Sequence, residues 1–447
     1  MSSKILLKTI TEFRKSTDAN PQVRLARNAA VRGDVMDLAM DWEAFRRIDH
    51  TFSDIVTGQM KVTNQKSSGR CWGFAGLNLF RIYLGRKYNL KKFEFSQNYF
   101  IFCDKLEKSN YFLENIIKTA DEPLDGRLVM HLLTDPIQDG GQWHMFVNLI
   151  EKYGVLPQTE MPESFQSSQS MRMNRMITRK LRGFAKDLRV AYEKGADTKK
   201  LRVMKEDMLR TIYQMLTICL GSPPEKFEWQ IRDKDKKFHR FEKLNPKQFY
   251  KEHVGLDLND YVCLINCPMS DKEYKKVYTV EFLGNVIEGH SIRYLNVISE
   301  MMKQAAIKSL QNDDPVWFGC DVSKHFHRNL GVMDMELFDY ELFYGTEFGL
   351  DKAGRLEYGD SQMTHAMLFT GVDLNFKNEP TKWRVENSWG NKNGDKGYHI
   401  MSDSWFDEYN YEIVVQKNYL PDELVHIYET KEPVKLPPWD PMGALAR

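Results

Sequence analysis

Cys71 opens an apolar run at helical spacing, Cys71-Trp72-Gly-Phe-Ala-Gly-Leu-Asn-Leu-Phe-Arg-Ile-Tyr-Leu, and Gln65 stands six residues before it. In the first turn of a helix, free backbone N–H groups and the macrodipole favour a thiolate. The Gln65 side-chain amide and the cysteine's own N–H make a donor pair suited to a carbonyl oxygen that is becoming an anion. A lone cysteine is more commonly a small core residue, so the chemistry needs partners elsewhere. Two segments supply them. Thr364-His365-Ala-Met-Leu-Phe-Thr-Gly-Val-Asp373 reads as a strand entered at a histidine, and Trp383-Arg-Val-Glu386-Asn387-Ser388-Trp389-Gly390 as a strand ending in an asparagine before a turn. A thiol nucleophile needs an imidazole to take its proton and return it to the leaving amine. It also needs a polar group to fix that imidazole's orientation and tautomer. Cys71, His365 and Asn387 can fill these roles in that chain order.

Together these segments resemble the papain-like cysteine proteases, with Gln65, Cys71-Trp72, His365 and Asn387-Ser388-Trp389-Gly390 in the matching places. Asp139-Gly140-Gly141-Gln142-Trp143, followed by Tyr153-Gly154, is similar to the glycine pair that lines the family's substrate cleft ahead of a helix. The resemblance is strongest to the cytosolic cysteine aminopeptidases of that superfamily and covers the whole chain, down to the tail Trp439-Asp-Pro-Met-Gly-Ala-Leu-Ala446. It implies an α+β, two-lobed papain-like fold with Cys71 on a helical lobe and His365 and Asn387 on a β-rich one. The implied reaction is peptide-bond hydrolysis through a thioester. Cys71 is the nucleophile, His365 the acid and base, Asn387 the orienting group and Gln65 the oxyanion donor. Gly140, Gly141, Trp389 and Ala446 surround the substrate, and Trp389 shields the His–Asn hydrogen bond from water. The resemblance further implies a broad aminopeptidase acting on peptides with a free N-terminus, assembled as a homohexameric barrel with its sites facing a central channel. Its C-terminal arm would lie in its own cleft, with Arg447 trimmed so that the Ala446 carboxylate meets the substrate's α-amino group. No cofactor and no metal is required.

The elements that must position these residues follow from their spacing. His365 lies 294 residues after Cys71, whereas about 130 to 150 is usual in papain-like chains, so a large insertion separates the two halves. The expected divisions are an N-terminal helical arm (1–60), a helical lobe with the nucleophile (61–166), a mainly helical insertion (167–313), a β-rich lobe with His365 and Asn387 (314–430) and a C-terminal arm (431–447). Within the insertion, Met171 to Leu220 has helical amphipathic spacing up to the break at Gly221-Ser-Pro-Pro. Strands are expected at Tyr261–Asn266 and Tyr278–Phe282, a helix at Ser291–Ser309, and a buried strand from Asp314. In the N-terminal arm, Asn20-Pro21 and Arg32-Gly33-Asp34 should break the helices. After Pro421, the prolines at 433, 437, 438 and 441 disfavour helix and predict an extended arm.

Composition bounds the rest. A chain of 447 residues with 42% hydrophobic residues and a formal charge of +1 can bury a large core and has no global bias toward polyanions. Locally, residues 171–210 hold 13 Lys or Arg against 5 Asp or Glu. Such a run is commonly a solvated helix face; the alternative is a nucleic-acid-binding regulator, with weak single-stranded nucleic acid binding alongside catalysis. The six cysteines have no regular spacing, and Ser68 stands where secreted relatives of the resembled family carry a disulfide cysteine. With no signal peptide, no membrane-length apolar run and no Asn-X-Ser/Thr site, the chain reads as cytoplasmic and free of the membrane. Cys263 with Cys267 and His325 with His327 lack the partners of a metal site, and no phosphate-loop or dinucleotide fingerprint is present.

Overall fold

The computed structural model of the chain describes residues 3–446. Its central helix, Cys71–Lys87, is apolar on nearly every side and buried accordingly, from Cys71 through Ile82 without interruption. The helices Gln97–Lys118 and Trp143–Tyr153 pack against it through aromatic side chains, with Trp72 at 4.9 Å from Phe100 and Phe80 at 5.2 Å from Phe146 between ring centroids. A second helical layer, Met171–Glu193 and Thr198–Leu220, lies on Gln97–Lys118. The expected helical stretch is therefore two helices. Gly195 takes a left-handed φ of 86°, and the Asp197 carboxylate caps the second helix at the Lys200 N–H.

The other half is a twelve-stranded sheet. Val316–Cys320, buried at every residue, is flanked by Asn410–Gln416 on one side and His365–Leu374 on the other. His365–Leu374 pairs in turn with Pro380–Glu386, which pairs with Tyr398–Ser402. Strand register brings His365 opposite Cys320 and Val385 opposite His399, so the ends carrying His365, Asn387 and His399 converge. This is the α+β, papain-like arrangement of a helical and a β-rich half, and the Cys71 helix packs directly on the His365 strand.

Several local expectations are corrected. The helix expected from Ser291 starts only at Ser299, because the apolar run before it forms the strand Tyr294–Asn296. A hairpin, Phe227–Arg232 with Phe238–Leu244, lies within the insertion where no strands were expected. The segment after Pro421 is not extended at its start: Asp422–Thr430 is a helix, with Asp422 and Glu423 in its first turn where the dipole favours them. Its prolines begin only beyond that helix, where Val434–Leu436 pairs with Val277–Val280. At the other end, Leu7–Ala19 and Pro21–Ala30 break at Asn20-Pro21 as expected, and neither helix buries a residue.

Candidate active site

The loop from Gln65 to Cys71 is held by its own polar groups. The Gln65 amide Nε2 donates to the Ser68 carbonyl at 2.5 Å, and the Ser68 hydroxyl donates back to the Gln65 carbonyl at 2.7 Å. Arg70, fully buried, donates through Nε to the Ser68 hydroxyl at 2.8 Å and grips Glu163 with both terminal nitrogens at 2.9 and 2.8 Å. Ser68 is thus the hub of the loop, and all six cysteines are free thiols. Across the cleft, the Gln65 N–H donates to the Ser388 carbonyl at 2.8 Å, and the Ser388 hydroxyl donates to Gln65 Oε1. An amide nitrogen carries two hydrogens; with one on Ser68, the other remains for an incoming oxygen.

Cys71 is the first residue of its helix and has no exposed surface. Burial pushes its thiol up to about 12, against the pull of the N–H groups of Ala366, Trp72 and Cys71 itself. His365, at the start of its strand, is also buried, and burial holds its imidazole down to about 4 despite the hydrogen bond to Asn387. Burial of the closed cleft thus disfavours both charged forms, the thiolate and the imidazolium. His365 Nε2 donates to Asn387 Oδ1 at 3.0 Å, so Nδ1 is the nitrogen that can accept the thiol proton. The Trp389 ring lies 4.8 Å from the His365 ring, and the Arg328 guanidinium sits over the Trp389 ring at 4.7 Å.

The glycine pair forms the wall beside Trp72. A Cβ on Gly141 would stand 2.4 Å from the Trp72 ring, so no other residue fits there. The Gly140 carbonyl accepts from Lys108 Nζ at 2.6 Å. Gly141 donates its N–H to the Ala446 carbonyl at 3.1 Å in an antiparallel bridge, and the Gln142 side-chain amide donates to the Ala444 carbonyl at 2.6 Å. Ala446 is fully buried, and Asp440 anchors the arm upstream by pairing with Lys272 at 3.0 Å. The end of the chain thus occupies the glycine wall as a short strand; Arg447 lies outside the described residues.

Sequence reasoning placed Gln65, Cys71, Gly140, Gly141, His365, Asn387, Trp389 and Ala446 around one cleft, and the structure brings them together. It missed the residues that hold them. Asp139 accepts the Gly69 N–H at 3.0 Å, the Asn174 amide at 2.7 Å and the Lys105 ammonium at 2.8 Å, while its carbonyl takes the Trp72 indole N–H at 2.6 Å. Burial alone would raise its carboxyl, but Lys105 and these donors hold it well below the usual carboxylate range. Behind the cleft, Arg81 on the Cys71 helix pairs with Glu386, next to Asn387, at 2.6 Å, with both side chains buried. His399, also missed, meets the Asn387 amide from the far side. The sequence signal for Arg81 was a charged side chain inside an apolar run, and that for Asp139 was its place beside the glycine pair.

The arrangement can transfer a proton from a thiol to an imidazole, hold an oxyanion on two N–H donors and accommodate an extended backbone along Gly141. A large open groove, about 980 Å³ between Asp41–Arg47 and the segment 323–360, contains none of these residues. Within the basic stretch, Arg182 and Arg189 donate to main-chain carbonyls at 2.9 Å each, and Arg202 and Lys205 pair with Glu114. Part of that charge is thus used internally. Among the described residues, no helix is long and apolar enough to cross a membrane.

A family model described as the Peptidase C1-like family matches residues 4–443. Similar curated proteins include bleomycin hydrolase of Gallus gallus, 44% identical over 443 residues and 97% of both chains. Aminopeptidase C of Listeria innocua is 44% identical over 446 residues and 100% of both chains. The solved structure of PepW from Lactobacillus rhamnosis matches with a TM-score of 0.98 at 45% identity over 100% of both chains. None of these relatives supports the nucleic-acid-binding reading.

Proposed function

The chain belongs to the Peptidase C1-like family and is a cysteine aminopeptidase, and from that premise we propose that Cys71 attacks the carbonyl carbon of a peptide's first residue while His365 Nδ1 takes the thiol proton. The tetrahedral oxyanion is held by the Gln65 amide and the Cys71 N–H. Collapse breaks the C–N bond, His365 returns its proton to the departing amine, and the acyl group stays on sulfur as a thioester. A water, deprotonated by His365, releases the acid and restores the thiol. Asn387 keeps the imidazole in the productive tautomer, and Trp389 keeps water from their hydrogen bond.

The arm sets the product length. The observation that carries this reading is the hydrogen bond from Gly141 to Ala446, which fills the wall that upstream substrate residues would otherwise use. Removal of Arg447 would leave a carboxylate at Ala446 to pair with the substrate's α-ammonium group in a partly dry cleft. Substrates are peptides with a free N-terminus and related amides, bleomycin among them, as the relatives' names suggest. Six free thiols fit a reducing cytoplasm. Self-assembly into a homohexamer is supported by the exposed apolar side chains of the N-terminal helices, with Leu7, Phe13 and Leu25 exposed by 82%, 61% and 74%.

Deleting residues 440–447 tests the arm. The shortened enzyme should lose rate on single-residue amides and gain cleavage within N-terminally blocked peptides, scored by fragment mass. If it still removes only single N-terminal residues, the arm does not measure the substrate.

A further inference from the structure

His399 enters none of the steps above, yet its ring is built into the catalytic centre. It lies on the strand Tyr398–Ser402, opposite Val385 in the neighbouring strand, and is 1% exposed. Its Nδ1 is 3.4 Å from Asn387 Nδ2. The Asn387 amide has only one orientation that suits its neighbours. The Ser388 N–H donates to Oδ1 at 2.7 Å, and a backbone N–H cannot face an amide nitrogen. Oδ1 therefore faces Ser388 and His365, and Nδ2 faces His399. An amide nitrogen only donates, so His399 Nδ1 must be the acceptor, with the ring proton on Nε2.

The surroundings are shaped for this ring. Gly331 and Gly394 both have left-handed φ, 68° and 59°, and a Cβ on either would come within 2.8 and 2.9 Å of His399 Cδ2. Phe326 lies at 5.6 Å and Trp389 at 6.2 Å between ring centroids. Burial, with the nearby His365, His50 and Arg328 acting in the same direction, brings His399 down to about 3. The acceptor lone pair is therefore present throughout the neutral range.

We propose that His399 is a positioning residue for hydrolysis: by accepting the Asn387 Nδ2 hydrogen it locks the Asn387 amide with Oδ1 toward His365. This keeps the His365 proton on Nε2 and leaves Nδ1 open to the Cys71 thiol. The inference rests on the assignment of Cys71, His365 and Asn387 given above. It adds a fourth side chain to that set, one that touches no substrate. If the acceptor is lost, only the Ser388 N–H still opposes rotation of the amide, and in the fraction that rotates an N–H faces His365 and selects the wrong tautomer.

The test is a set of variants assayed for steady-state kinetics on a single-residue amide. His399→Phe fills the cage without an acceptor, and loss of one such hydrogen bond should lower kcat roughly five- to tenfold with KM unchanged. His399→Gln, which restores an acceptor oxygen, should recover most of that loss. In an Asn387→Ala background, His399→Phe should cost nothing further, because its effect passes through Asn387. If His399→Phe does not fold, His399→Leu takes its place in each comparison. Wild-type kcat in the Phe or Leu variant, failure of Gln to rescue, or an undiminished penalty in the Asn387→Ala background would each overturn the proposal. Should Asn387→Ala itself be silent, the catalytic assignment falls first; an impaired Asn387→Ala beside a silent His399→Phe removes only the role of His399.

Discussion

The reacting pair shows opposing effects meeting at one atom. Helix position and three N–H groups draw the Cys71 thiol toward ionisation, yet burial outweighs them and leaves it up at about 12, with His365 down at about 4. Both departures have the same cause, the exclusion of water from a covered cleft. Because a serine hydroxyl is a far weaker acid, Cys71→Ser should lower kcat by roughly 10³-fold or more with the fold intact, checked by progress curves and circular dichroism. Asn387→Ala should be milder, since a misoriented base still functions part of the time; equal losses would give Asn387 a different role. These residues were legible because their signature is local: Cys-Trp ahead of an apolar helix, and Asn-Ser-Trp-Gly at the end of a strand. His399 was not legible, because its meaning depends on a strand register that pairs it with Val385 and turns its ring toward Asn387.

Between elements, the Cys71 helix and the Asn387 strand are joined by one buried ion pair. Arg81 Nη2 donates to Glu386 Oε1 at 2.6 Å, and Arg81 Nη1 to the Lys61 carbonyl at 2.9 Å. Burial leaves the Glu386 carboxyl raised, and Arg81 is the main force opposing that rise. Arg81→Met should cost about 3–5 kcal/mol in chemical denaturation, because it strands a buried carboxylate. Arg81→Met with Glu386→Leu should recover much of that loss; a double variant no better than the single would mean that the pair itself holds the halves in register. A contact spanning 305 residues leaves no trace in local patterning. The same reason explains why the helix expected from Ser291 starts at Ser299: Tyr294–Asn296 is a strand only because Val277–Val280 and Tyr261–Ile265 lie beside it. The break at Gly195 and the helix at Asp422–Thr430 did have local signals, a glycine with a capping aspartate and two acidic residues ahead of the prolines.

At the scale of the molecule, buried histidines couple folding to acidity. His144 is buried, with Nε2 at 3.1 Å from the Tyr428 hydroxyl and Nδ1 at 3.7 Å from the Cys263 sulfur, and burial brings it down to about 3. Unfolded, it would titrate near its ordinary value of about 6.5. Between those values the unfolded chain binds the extra proton, so this group's contribution falls as pH drops from about 6.5 toward 3 and is complete above that window. His144→Gln should therefore lose less Tm than the wild type between pH 7 and pH 4.5 in scanning calorimetry; parallel losses would mean that His144 titrates normally in the folded state. The seat of Ala446 on Gly141 has a further consequence at this scale. A segment tethered to its own cleft is a ligand at an effective concentration on the order of millimolar, whatever the concentration of the protein. Dilution cannot release it, and a blocked peptide must compete with it at every encounter. A synthetic copy of residues 437–446 would reach the same occupancy only near that concentration. On the proposed role of the arm, restriction to chain ends is then a property of connectivity as much as of contacts, and one cut in the tether would remove it.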